Sequence, residues 1–274
     1  MRLRHLLVAA PLLVTAAVTP LVAGGSPAQE GQDGEGQSED ELLAVGRELY
    51  LTGCASCHGE NGEGVNGPDG DLRGPSLVES GEAGAYYYLS TGRMPLANPE
   101  EQPVRKPPAY APDEIDALVA YVASLGDGPE LPDVDVEGAD LANGGLIYRA
   151  NCQACHSASG SGGALSYGRA APGLADATPT QVGAAVRIGP GQMPVFGPDI
   201  ISDEELDDLA AYVEYLKDPE DPGGVPIGRT GPIPEGFVAW LVGMTGLLAL
   251  VAWIGTRSPI RPRRRPERVP ARHE

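Results

Sequence analysis

The sequence predicts a mainly α-helical chain: two tandem copies of one small module, followed by a transmembrane helix. Three observations carry that reading. GRELYLTGCASCHG (46–59) lines up with GGLIYRANCQACHS (144–157) at an offset of 98 residues. Each copy closes on an amphipathic stretch, PDEIDALVAYVASL (112–125) and SDEELDDLAAYVEYL (202–216). Near the C-terminus, FVAWLVGMTGLLALVAWIGT (237–256) runs for twenty residues without a charge, the length a helix needs to cross roughly 30 Å of hydrocarbon.

Within the first closing stretch, Ile115, Leu118, Val119 and Val122 recur at helical spacing. Asp113 and Ser202 are the expected N-caps, with acidic residues in the first turn. Between the aligned ends of each copy, GPSL (74–77) matches APGL (171–174), and RMP (93–95) matches QMP (192–194). The landmarks keep their order, so the copies are read as duplicated domains, 42–126 and 139–218. The connector 127–138 (DGPELPDVDVEG) is acidic and Pro-rich, a short semi-stiff spacer. A Pro/Gly linker, 219–236, leads into the transmembrane helix, 237–256. Tyr50/Tyr148 and Tyr121/Tyr212 pair across the copies at helix positions, where they are expected to pack the terminal helices together rather than carry electrons.

Arg2 and Arg4 precede an uncharged run from Leu6 to Ala23 that Pro11 and Pro20 interrupt. Residues 1–28 therefore read as a cleaved signal peptide or a retained signal anchor. Residues 29–41 (QEGQDGEGQSEDE) lack bulky apolar side chains and read as an acidic linker. The last segment, 257–274, carries seven Arg, which holds it in the cytoplasm under the positive-inside rule and leaves the modules outside. Those Arg less two Glu give +5, and the N-terminal Arg pair adds +2. The segment between must then carry −26 for the whole to reach −19. Such a surface repels nucleic acid. The expected location is the cell membrane, in contact with lipid, with no nucleic-acid partner.

The four Cys stand at 54, 57, 152 and 155, and His58 and His156 directly follow the two pairs. Two Phe and two Trp are few for a large core, and small modules so built need a staple such as a metal or cofactor. In C-x-x-C-H, two Cys one helical turn apart can each form a thioether to a haem vinyl group, and the next His reaches the iron. A zinc site would draw four N/S ligands together and could unite all four Cys. A redox C-x-x-C would want a βαβ setting. Neither accounts for a His in the same place twice. The expected cofactor is therefore two covalently attached haem c, on Cys54, Cys57 and His58 and on Cys152, Cys155 and His156. Met244 falls in the C-terminal apolar run and Met1 at the first position, which leaves Met94 and Met193, 36 and 37 residues after their His and each before a Pro. They are the expected second axial ligands, making His58, Met94, His156 and Met193 the iron ligands. A thioether on iron favours the reduced state. With both irons closed, peroxidase, oxygen-binding and gas-sensing roles are disfavoured.

Both modules resemble class I cytochromes c. That resemblance implies that the carbonyls of Pro75 and Pro172 accept Nδ1–H of the haem His, fixing ring orientation and basicity; a loop-turn Pro is the competing view. A wider resemblance rests on STGRMP (90–95), GGALSYGRAAPGL (162–174), GPGQMP (189–194) and PEGFVAWLVGMTGLLALVAWIGTRS (234–258). These are similar to the cytochrome cc subunit of the actinobacterial menaquinol–cytochrome c reductase, the cytochrome bc complex. The resemblance implies a subunit of a quinol–cytochrome c reductase that only transfers electrons itself, beside cytochrome b. It would take them from the Rieske iron–sulfur protein and pass them to a cytochrome c oxidase held in one supercomplex. The alternatives are a dihaem electron-transfer subunit of another oxidase or dehydrogenase, a dihaem peroxidase, and a structural membrane protein with metal clips.

Overall fold

The computed structural model describes residues 38–220 and 232–257. The expected signal segment, residues 29–37 of the acidic linker, residues 221–231 and the tail 258–274 lie outside the described residues. In the first module, α1 (Glu39–Gly53) is followed by the single turn α2 (Ala55–His58), the short strands β1 (Val65–Asn66) and β2 (Leu72–Gly74), and helices α3 (Gly81–Ser90) and α4 (Pro112–Ala123). The second repeats that order: α5 (Leu141–Asn151), α6 (Gln153–His156), β3 (Gly163–Ala164), β4 (Ala170–Ala171), α7 (Pro179–Ile188) and α8 (Asp203–Lys217). One 3₁₀ turn, Ser166–Gly168, joins β3 to β4. Each strand pair is antiparallel: Val65 faces Gly74 and Asn66 faces Leu72 across a bulge, and Gly163 faces Ala171 and Ala164 faces Ala170.

The first and last helices of each module cross at a glycine. A Cβ on Gly46 would overlap the carbonyl oxygen of Ala117, and one on Gly144 would overlap that of Asp208. Close contact at those points seats the amphipathic helices α4 and α8 on the rest. Ile115, Leu118, Val119 and Val122 are all buried, with Tyr50 and Leu89 in the same cluster. Tyr148, Val182, Leu206, Leu209 and Val213 form its counterpart. The paired tyrosines meet across the crossings, with ring centroids of Tyr50 and Tyr121 5.2 Å apart and those of Tyr148 and Tyr212 5.4 Å apart.

The two modules also pack on each other, through α3 and α7. Ala83, Tyr87 and Ala184 form a buried cluster there, with Leu131 of the connector against it. The connector, expected as a short semi-stiff spacer, is thus also docked along both modules. Ala83 N–H donates to Pro129 O (3.1 Å), Leu131 N–H to a Glu82 carboxylate oxygen (3.2 Å), and Asp135 N–H to an Asp207 carboxylate oxygen (3.0 Å). Its acidic, Pro-rich composition hid this because Leu131 and Val134, which pack against the buried clusters, are spaced among charges.

Helix boundaries bear out one expectation and correct two others. Ser202 caps α8, receiving Glu205 N–H while Glu205 accepts Ser202 N–H. Asp113, in contrast, is not a cap: Pro112 opens α4, Ala111 is its N-cap residue, and Glu114 reaches back to accept Ala111 N–H at 2.8 Å. Proline's fixed φ and missing N–H suit the first helical position, which moves Asp113 inside the helix. Likewise α1 starts at Glu39, inside the expected linker, because Ser38 accepts Glu41 N–H and caps it.

The C-terminal helix α9 (Pro232–Arg257) begins before Phe237, since prolines are tolerated in a first turn whose N–H groups have no helical partner. Its 26 residues span about 39 Å at 1.5 Å per residue. Among the described residues it is the one helix long and apolar enough to cross a membrane. Phe237 and Trp240 stand near one end and Trp253, under the guanidinium of Arg257, near the other, as expected of aromatic belts at two interfaces.

Gly46→Ala and Gly144→Ala test the crossings. Alanine gains about 1 kcal/mol over glycine in a helix, and overpacking against backbone costs on the order of 3 kcal/mol. Each variant should lose about 2 kcal/mol, a fall of roughly 4–8 °C in Tm. An unchanged melting curve would show that the helices do not depend on that approach.

Candidate functional site

The site in each module is built where the first helix ends. Cys54 N–H donates to Tyr50 O (2.8 Å), and the next turn brings Cys57 N–H and His58 N–H to Cys54 O, both at 3.0 Å. The second module repeats this: Cys152 N–H to Tyr148 O at 2.8 Å, then Cys155 and His156 N–H to Cys152 O at 3.1 and 2.9 Å. One helical turn thus delivers two sulfurs and an imidazole. Tyrosine anchors that turn from behind, Tyr50 donating to Gly59 O and Tyr148 to Ser157 O, each at 2.7 Å. Burial pushes the Tyr50 hydroxyl up to about 12 and also raises that of Tyr148, so both stay donors at neutral pH.

The chain then folds back on itself. Gly64 N–H returns to His58 O (2.7 Å) and Gly162 N–H to His156 O (3.0 Å). β2 runs so close to the turn that a Cβ on Gly74 would overlap the Cys57 carbonyl oxygen. That approach sets the next residue, Pro75, beside the ring. His58 Nδ1 lies 2.7 Å from Pro75 O and His156 Nδ1 2.9 Å from Pro172 O. A carbonyl only accepts, so this contact selects the tautomer of a neutral ring that has its proton on Nδ1 and its lone pair on Nε2.

Met193 lines one cavity with Cys152, Cys155 and His156, about 290 Å³ in volume, whose walls include Leu174 and Val186. In the first module, Met94 and Cys54 pack against the same core cluster. Burial pushes the thiols of Cys54 and Cys152 up to about 11. That is the opposite of a redox C-x-x-C, whose attacking thiol is held below its ordinary value. Among the described residues no three His, Cys, Asp or Glu side chains converge to hold a metal ion, so the four Cys do not form one zinc centre. Two thiols, an imidazole freed at Nε2 and a thioether around an apolar cavity fit a covalently held haem.

Comparisons with known proteins agree. A "Cytochrome c" family model matches residues 43–126, and one for "Cytochrome C oxidase, cbb3-type, subunit III" matches residues 139–213. A "Cytochrome bc1 complex cytochrome c subunit" of Mycobacterium tuberculosis is 43% identical over 230 residues, covering 81% of this chain and 80% of the relative. The chain belongs to that family. A member from Corynebacterium efficiens is 36% identical over 247 residues, covering 84% and 82%. A "Cbb3-type cytochrome c oxidase subunit FixP" of a Bradyrhizobium strain is 30% identical over 128 residues, covering 44% and 42%. As a cytochrome c subunit the chain binds haem c covalently and serves electron transfer.

Sequence reasoning missed the residue that fixes the Met193 loop of this cytochrome. Arg187 is buried at the end of α7; its Nη1 donates to Phe196 O (2.9 Å) and Ile201 O (2.7 Å), and its Nη2 to Asp203 (2.6 Å). Both carbonyls lie just beyond Met193. The first module holds its loop differently, with Lys106 N–H donating to Thr91 O (3.2 Å) and Lys106 Nζ to Pro95 O (2.7 Å). The signal for Arg187 was a basic residue on the inner side of a helix with small neighbours, which a repeat comparison does not expose.

Arg187→Leu strands two carbonyls and should cost about 3 kcal/mol. Asp203 is 79% exposed, and Asp203→Asn should cost less than about 1 kcal/mol. Chemical denaturation of the two variants checks both values, and equal losses would contradict this division of labour.

Proposed function

We propose that each module holds one haem c: Cys54 and Cys57 as thioethers with His58 and Met94 on the iron, and Cys152 and Cys155 with His156 and Met193. The carbonyls of Pro75 and Pro172 orient the two imidazoles through the Nδ1 bonds of 2.7 and 2.9 Å. Bound haem supplies a one-electron couple; the chain supplies the ligands that keep the iron closed and the apolar walls that exclude water. Thioether ligation favours the reduced state and raises the potential. Oriented imidazoles need not move when the charge changes, which keeps reorganisation small.

The chain acts, on this reading, as the cytochrome c subunit of a quinol–cytochrome c reductase. It receives electrons from the Rieske iron–sulfur protein beside cytochrome b and delivers them to a cytochrome c oxidase in the same supercomplex. α9 anchors it in the cell membrane, with the haem modules outside and the Arg-rich tail in the cytoplasm. Family membership supports the complex, and the seven Arg from Arg257 onward support the orientation. The observation that carries the reading is repetition: the Cys pair, the imidazole tied at Nδ1 and a thioether occur in both modules. Similarity to FixP and to the cbb3-type model favours one second reading, a subunit attached directly to an oxidase.

Met94→Leu and Met193→Leu should each remove part of the long-wavelength absorption of methionine-bound ferric haem, and the double variant all of it. A high-spin ferric signal from the unsubstituted chain would contradict two closed irons. Purification of the tagged chain in mild detergent should bring cytochrome b, the Rieske protein and oxidase subunits together. Oxidase without the first two would favour the second reading.

A further inference from the structure

The cavity of the second module is not walled by that module alone. Tyr87, Arg93, Gln102 and Arg105 of the first module line it too. Its charged lining among the described residues is Arg93, Arg105 and Arg169, with no Asp or Glu, although the chain carries twice as many acidic residues as basic ones (38 against 19). Among the described residues none of the three Arg has a carboxylate within salt-bridge distance.

Arg93 is the most demanding of them. It is only 6% exposed, and its Nη1 is buried with no hydrogen-bond partner. Its guanidinium lies over the Tyr87 ring, 4.8 Å from the centroid, a contact that leaves the N–H donors in its plane unused. Arg105 stands near enough that Arg93, after burial, is the next cause holding its guanidinium below the ordinary range, with Asp176 opposing. Hydrogen bonds tie the arrangement to both modules. Arg105 Nη2 donates to Gln181 Oε1 (2.6 Å), and Gln181 Nε2 donates in turn to Ser90 Oγ (3.2 Å). Gln102 both donates to Ala170 O (2.8 Å) and accepts Ala170 N–H (3.1 Å), fastening the first module to β4. An uncompensated guanidinium pair facing an apolar cavity calls for an apolar group that brings its own anions.

We propose that Arg93 and Arg105 of the first module bind the propionate carboxylates of the haem held by the second, so that this haem site is completed across the module boundary. The inference rests on the reading that Cys152, Cys155 and His156 carry a haem. It makes the two residues positioning groups that also set potential. A cation beside the haem disfavours the ferric form, so its removal lowers the potential.

The test is a redox titration of the full-length haem-loaded chain in detergent, comparing Arg93→Gln, Arg105→Gln, the double variant and Arg93→Lys. Haem content is measured on each by pyridine haemochrome, and the second haem is identified as the one perturbed by Met193→Leu. The potential of the second haem should fall in each Gln variant and furthest in the double, with haem content unchanged, and Arg93→Lys should restore most of it. A merely structural role would lower Tm and leave that potential in place. Two haems per chain with the second potential unmoved in all variants would overturn the inference alone. A single haem in the unsubstituted chain would overturn the underlying reading and the inference with it.

Discussion

The contact between backbone and backbone at Gly46 and Gly144 is the constraint on which the rest of this molecule depends. Each glycine lets the first helix of a module touch the carbonyl of the last, at Ala117 and at Asp208. With that distance set, Tyr50 and Tyr148 are pressed against Tyr121 and Tyr212, and their hydroxyls reach forward to the turn after the His. The turn itself then has little freedom. Its Cys residues, its imidazole and the proline carbonyl behind the ring are all placed relative to one helix end. A side chain at either glycine would separate the helices and move the Cys and His side chains of the turn, so a packing requirement at the helix crossing governs the geometry of the candidate site.

The duplication is regular in these parts and irregular where the modules meet. α3 and α7 face each other across Ala83, Tyr87 and Ala184, and the loop after α3 does two things at once. It carries Met94 for its own module and sends Arg93 and Arg105 to the cavity of the other. The second module has Gln192 where the first has Arg93, so the relation is one-sided. Electrostatics agrees with that division: positive charge is gathered at one internal wall of a strongly acidic chain. On the proposed reading, a haem beside guanidinium groups and a haem without them would differ in potential, which would give two otherwise similar modules a means of being unequal.

Much of the candidate site's layout was legible because it depends on spacing along the chain. C-x-x-C-H within one turn, a Pro some sixteen residues on and a Met before Pro all recur at matched positions, and the structure puts the Pro carbonyl against each imidazole. The amphipathic helices were legible because four apolar residues at helical spacing leave one buried face. What escaped was set by contacts distant in sequence. The role of Gly46 depends on Ala117, that of Arg187 on Phe196 and Ile201, and that of Gln102 on Ala170. The connector misled because Leu131 and Val134 are isolated apolar residues among charges, and only the docked modules show what they cover. Asp113 misled in a smaller way, since Pro112 rather than the acidic side chain decides where α4 begins.

Mass spectrometry of the mature chain and its proteolytic peptides tests the central claim most directly. The intact chain should carry the mass of two haems, one on the peptide containing Cys54 and Cys57 and one on the peptide containing Cys152 and Cys155. A haem on one peptide alone, or unmodified thiols at either pair, would contradict that claim.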